Sequence, residues 1–210
     1  MTEANDTADR SRKRRPKHQN RSPYPSPKPP GMNPNRMANK GYWIVGDTAI
    51  GCTEKAGATS IMNALQRARC KRVLPEQIEQ LGLRTRLWVR HPIERFASVW
   101  AFFTPVGSFP RPRSRAHDYM AQHPTIEQFT DAVLDGAENE HWLPQLAQHV
   151  PIDEVLQFET INETFPVPIE HMNKGQIEKP EITYRLDELE IYYGEDLTAW
   201  LRAKPMPGAA

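Results

Sequence analysis

Two short apolar runs, YWIV (residues 42–45) and RLWV (residues 86–89), are each followed by a loop and then by a helical apolar pattern. That order constrains the fold more than any other feature of the chain. Both runs are rich in aromatic and β-branched residues and too short for a buried helix, which predicts buried strands. After the first, a loop from Gly46 to Gly57 leads into IMNALQRAR, where Ile61, Met62, Leu65 and Ala68 share a face and Thr59 or Ser60 can cap the helix. After the second, Pro92 suits the first turn of a helix over PIERFASVWAFF, with Phe96, Val99, Trp100 and Phe103 on one stripe. VLQFE (155–159) predicts a third strand, and TIEQFTDAVLDG (125–136) a helix with a threonine cap and a glycine stop. YRLDELEIYYGEDLTAWL (184–201) predicts two short helices meeting at Gly194, and residues 104–124 show no period and predict a loop. Strand, helix, strand, helix in that sequence argues for an α/β fold, with a central parallel sheet flanked by helices.

The folded part is expected to span residues 41–204. Residues 10–40 carry ten Lys or Arg, seven prolines and no acid. Such a segment cannot bury enough apolar surface to offset its ordering entropy, so residues 1–40 are expected to form a disordered basic tail. A tail of this kind is suited to weak contact with nucleic acid or another anionic surface. The remainder is unevenly charged: residues 67–115 hold eleven basic side chains against three acids, and from His117 onward eighteen acids face five basic residues. No apolar run of about 18 residues predicts a membrane span, and no secretion signal is recognisable. Two cysteines, Cys52 and Cys70, make no disulfide framework and no zinc spacing. The chain is therefore expected to be cytoplasmic and metal-free.

The chemistry-bearing stretch is CTEKAGATS (residues 52–60), a run of small and hydroxyl residues around one lysine. It resembles a phosphate-holding loop without matching GxxxxGK[ST]. Gly46 and Gly51 have the required spacing, but Cys52 stands where the lysine belongs and Lys55 is followed by Ala56. Ligands of open α/β sheets sit at the carboxyl ends of the strands. Arg90 lies just past the second strand, where a buried arginine needs a partner and a bound phosphate is a natural one.

Taken in order, the motifs resemble the sulfotransferases that use 3′-phosphoadenosine-5′-phosphosulfate (PAPS). EKAGATSI is similar to that family's 5′-phosphosulfate loop, and RHPIERFASVW (residues 90–100) to its RxPxxRxxS element, which grips the 3′-phosphate. NEHWLPQ (139–145), VLQFETINE, HMNK (171–174) and YYGEDLTAW resemble the carbohydrate sulfotransferases that act on chondroitin and related glycans. The likeness runs from about Tyr42 to Trp200. It implies a P-loop-like three-layer fold, PAPS as co-substrate, no metal, and a glycan or other hydroxyl-bearing acceptor.

Carried onto this chain, the resemblance gives Lys55 the role of stabilising the leaving phosphate, with Ala56, Gly57, Ala58, Thr59 and Ser60 lining the cradle. Arg90 and Ser98 would hold the 3′-phosphate, which ATP lacks. Arg95 is either a further member of that motif or the partner of a helix carboxylate. A hydroxyl acceptor must lose a proton, so a general base is required. His141 is the first candidate and Glu54 the second. Trp142 is expected in the core, with stacking on a sugar as the other possibility. Two other classes fit parts of the sequence. One is a divergent phosphate-loop kinase. The other is a non-catalytic protein of the same fold whose basic tail binds nucleic acid or a scaffold.

Overall fold

The computed structural model describes residues 41–104, 115–170 and 178–203. The expected basic tail, the HMNK stretch and residues 105–114 lie outside them.

Five strands form one sheet: β1 (Tyr42–Val45), β2 (Thr48–Gly51), β3 (Lys71–Val73), β4 (Arg84–Val89) and β5 (Glu154–Gln157), in the order β3-β1-β2-β4-β5. The three strands read from the sequence are present, and two more, β2 and β3, accompany them. The segment expected as a single loop from Gly46 to Gly57 is in fact a hairpin turn, a strand and then a loop. Val45 pairs with Thr48, so Gly46 and Asp47 alone make the turn, with Gly46 at φ 61°. A positive φ at the first central residue is what a II′ hairpin turn needs, and glycine supplies it without steric cost.

The hairpin corrects the expectation of a wholly parallel sheet. β2, β4 and β5 are mutually parallel, whereas β1 runs antiparallel to both β2 and β3. The architecture is thus α/β with a mixed sheet. The inverted strand is β1, the strand from which the parallel pattern was read.

Helices α1 (Ala58–Arg67), α2 (Pro75–Gln80), α3 (Pro92–Phe103), α4 (Arg115–Gln122) and α5 (Ile126–Leu134) follow the strands. Beyond β5 come α6 (Ile161–Thr164), α7 (Leu186–Tyr192) and α8 (Gly194–Arg202), the last pair meeting at Gly194 as its sequence predicts. Thr125 caps α5, accepting from the Gln128 amide. At α1, by contrast, neither Thr59 nor Ser60 is the cap: Gly57 holds that position in the left-handed region. α4 lies in the stretch expected as a loop. Ala116 and Met120 share one of its faces and are buried beside Phe103, Phe129 and Trp142. Its period covers only eight residues behind a Pro/Arg-rich run, too few to stand out.

Alternating side chains cover both faces of the sheet. Trp43, Ile50 and Trp88 pack with Ile61 and Leu65 of α1 and Ile161 of α6. Tyr42 and Ala49 face the other way, with Val73 of β3, onto Ile78 of α2. A separate helical core joins α3, α4, α5 and α7 around Phe96, Phe129 and Trp142. α8 lies against β5, and Gln157 Nε2 donates to the Trp200 carbonyl at 3.0 Å.

Trp88 ties the sheet to α6. It is 1% exposed, donates from Nε1 to Thr164 Oγ1 at 2.9 Å, and meets Phe165 edge-on with centroids 4.8 Å apart. Trp88→Ala should lower the unfolding free energy by about 3–5 kcal/mol in urea denaturation.

Candidate functional site

β2 and β4 are parallel neighbours, with Gly51 opposite Leu87. The loop after β2 and the segment after β4 therefore leave the sheet at the same end. In the first, the Ala56 amide donates to the Thr53 carbonyl at 3.1 Å, and Gly57, at φ 74°, turns the chain into α1. Ala56, Ala58 and Ser60 are buried and Thr59 is exposed. The cap residue, Gly57, has no side chain to offer α1, and no acid stands in its first turn. Its leading N–H groups and the positive end of its dipole therefore favour an anion. Gly57 is fixed by space as well as by torsion, since a Cβ there would fall 2.1 Å from Phe158 Cε2. The start of the loop is anchored by His149, a residue with no sequence signal of its own. Its Nε2 lies 2.8 Å from Thr53 Oγ1 and its Nδ1 3.1 Å from Tyr42 OH. Burial raises the Tyr42 pKa well above the ordinary phenol value, keeping it neutral in this chain.

Lys55 adopts φ 62°, uncommon for a residue with a side chain. Its Nζ lies 2.7 Å from the Phe102 ring centroid and 5.1 Å from that of Phe103, a cation–π placement. His141 meets the second of these rings, 4.7 Å from Phe103. Lys55 and His141, distant in sequence, thus share one aromatic corner at the end of α3. His117 of α4 joins it at 4.8 Å from Phe103. The sequence hid His117 inside the stretch expected as a loop.

At the second segment, Arg90 Nη1 donates to Ser98 Oγ at 3.1 Å, so the two proposed 3′-phosphate ligands are in contact across the start of α3. Glu94 lies 3.9 Å from Arg90 Nη2 and 3.3 Å from Lys179 Nζ. Gln145 holds the Arg90 backbone from both sides: Oε1 accepts from its amide at 3.0 Å and Nε2 donates to its carbonyl at 2.8 Å. His91 and Trp200 pack edge-on with centroids 4.7 Å apart, and Glu159 accepts from the His91 amide and from Trp200 Nε1.

Arg95 departs from the expectation of a carboxylate partner. It is 0% exposed, and its guanidinium donates to three main-chain carbonyls. These are Glu54 O at 3.0 Å, Leu143 O at 2.9 Å and Glu140 O at 3.3 Å. Burial lowers its pKa, opposed by the nearby Tyr193 and Asp196. Asp196, also fully buried, accepts from the amides of Gln145 and Leu146. Burial raises its pKa, while those amides and Arg95 pull it down. Tyr193 OH donates to the Trp142 carbonyl, and Trp142 Nε1 donates to Ala137 O at 2.9 Å. Trp142 is 1% exposed, which makes it a core residue. Glu54 enters this network through its carbonyl.

Comparison of the chain with family models, curated proteins and solved structures finds no match. Among the described residues, no group of three or more His, Cys, Asp or Glu side chains could hold a metal, and no helix is long and apolar enough to cross a membrane.

Gly57 and Gly46 offer an internal comparison. Both have positive φ, but only Gly57 faces a neighbour; nothing lies within 4 Å of a Cβ at Gly46. Gly46→Ala should cost about 1 kcal/mol of torsional strain, and Gly57→Ala about 2–4 kcal/mol once the Phe158 contact is added. Parallel denaturation curves of the two variants measure the difference.

Proposed function

We propose that the protein is a sulfotransferase that moves a sulfuryl group from PAPS to a hydroxyl of an acceptor, with a carbohydrate as the acceptor class. The observation that carries this reading is the contact of Arg90 with Ser98 at the end of the sheet that also presents the glycine-capped N-terminus of α1. Two anion-favouring elements at one end suit a ligand with two separate phosphates. A forked arginine paired with a neutral hydroxyl suits a terminal phosphate monoester. The arrangement also agrees with a P-loop-like core, in which a loop after an inner strand holds phosphate. It sits here after β2 rather than β1.

In the proposed reaction the acceptor oxygen bonds to sulfur as the sulfur–oxygen bond to the 5′-phosphate breaks, and 3′-phosphoadenosine-5′-phosphate (PAP) leaves. Negative charge grows on the bridging oxygen. Lys55 and the amides of Gly57, Ala58, Thr59 and Ser60 are the groups assigned to receive it, the amides being fixed at the start of α1 without solvent rearrangement. The acceptor proton passes to His141, with Glu54 as the second candidate base. The nearness of Lys55 and His141 to the one ring of Phe103 supports His141, because leaving group and acceptor must lie on either side of the same sulfur.

Isothermal titration calorimetry of the wild type should show PAP binding, and no comparable binding of ATP with magnesium. Arg90→Ala should weaken PAP binding by about 1.5–3 kcal/mol, the range for a hydrogen bond to a charged group. Wild-type affinity in a folded Arg90→Ala protein would remove the 3′-phosphate assignment.

Lys55 and His141 should separate in kinetics. With labelled PAPS and a panel of glycans, Lys55→Ala should lower the rate about 100- to 1000-fold with a smaller change in PAP affinity. His141→Ala should spare PAP affinity and cost about 100- to 10,000-fold in turnover. Full turnover in His141→Ala would transfer the role of base to Glu54.

A further inference from the structure

We infer that Arg95 is a positioning residue that clamps the Lys55 loop and the His141 segment into one unit, so that neither moves without the other. Its catalytic consequence rests on the sulfuryl-transfer reading; the clamp itself does not. The guanidinium reaches Glu54 O on one side and both Glu140 O and Leu143 O on the other, bracketing His141. All three acceptors are backbone, so the contact fixes main-chain position regardless of the side chains at 54, 140 and 143. A planar fork with several fixed donors can hold three carbonyls at once, which the single ammonium of lysine cannot do in that geometry.

The Glu54 contact has a further effect. Its carbonyl belongs to the peptide that ends in the Lys55 amide. Holding that peptide plane opposes relaxation of Lys55 from its left-handed φ of 62°. A cation on the carbonyl also polarises the peptide and strengthens its N–H as a donor. The remaining ties converge on the same unit. Asp196 holds the Gln145 and Leu146 amides, and Gln145 holds the backbone of Arg90 on both sides. Arg95, Gln145 and Asp196 are each 0% exposed, so this is an interior frame under the site. A buried cation whose hydrogen-bond partners among the described residues are all carbonyls is a costly way to hold a fold together. Its placement between the two proposed reactive segments gives that cost a purpose.

Native-state hydrogen exchange in low urea tests the clamp in the wild type, with no ligand and no substitution. The probes are the amides of Ala56 and Ile61 in one segment and Trp142 and Leu143 in the other, each bonded to a backbone carbonyl. The clamp requires the two pairs to open together, with one opening free energy and one urea slope. Independent opening overturns it. Arg95→Lys should then speed exchange at all four amides together, with the amides of β4 unaffected; acceleration in one segment alone also overturns it.

Turnover supplies a readout that a purely structural role would not move. Arg95→Lys should lower kcat about 100-fold, the order expected from a small misplacement of reacting groups. Combined with His141→Ala, it should lose less than the product of the two single losses, because both act through the same group. Strict multiplication of the losses contradicts action through His141. If the wild type neither binds PAP nor transfers sulfate, the sulfuryl-transfer reading fails, and the exchange data alone decide the clamp.

Discussion

The buried guanidinium of Arg95 is the contact on which the arrangement of the site depends. A charge removed from water is tolerated only where its donors are satisfied and its field is balanced. Here each guanidinium nitrogen donates to a main-chain carbonyl, and Tyr193 and the equally buried Asp196 oppose the effect of burial on its charge. The partners come from two loops far apart in sequence. Loops are the least self-sufficient parts of a fold, with few apolar contacts of their own. One interior cation joining them converts two adaptable segments into a single rigid floor.

The sheet supplies the platform for that floor. The Gly46–Asp47 turn folds β2 back along β1 and places β2 next to β4, so the loop after β2 and the segment after β4 open side by side. Had the chain crossed directly from β1 to a parallel neighbour, Cys52–Gly57 would not emerge beside Arg90. Gly57 then turns that loop into α1 against Phe158, where no side chain would fit. The small residues around Lys55 therefore meet a packing demand as well as the proposed phosphate contact.

Much of this was legible in the sequence, and the missed parts share a cause. Long amphipathic patterns such as Pro92–Phe103 and the paired helices at Gly194 announced themselves through period. β2 (TAIG) and β3 (KRV) are too short to carry an alternation, and a two-residue turn inside an apparent loop left β2 unseen. Arg90 and Ser98 could be paired because their spacing matched a known motif. Arg95 could not be assigned, because its partners are backbone carbonyls, which have no sequence identity. The same holds for His149, whose role appears only when Tyr42 and Thr53 meet it. His117 was hidden by the Pro/Arg-rich stretch before it.

On the proposed reading, the site works by fixed electrostatics: the glycine-capped N-terminus of α1 and Lys55 for the leaving group, Arg90 with Ser98 for the far phosphate, and His141 for the proton. The most direct test of this account is a crystal structure of the wild type with PAP. The account predicts the 3′-phosphate within hydrogen-bond distance of Arg90 and Ser98, and the 5′-phosphate over the first turn of α1 beside Lys55. PAP bound elsewhere, or in the reverse orientation with its 5′-phosphate on Arg90, would contradict it.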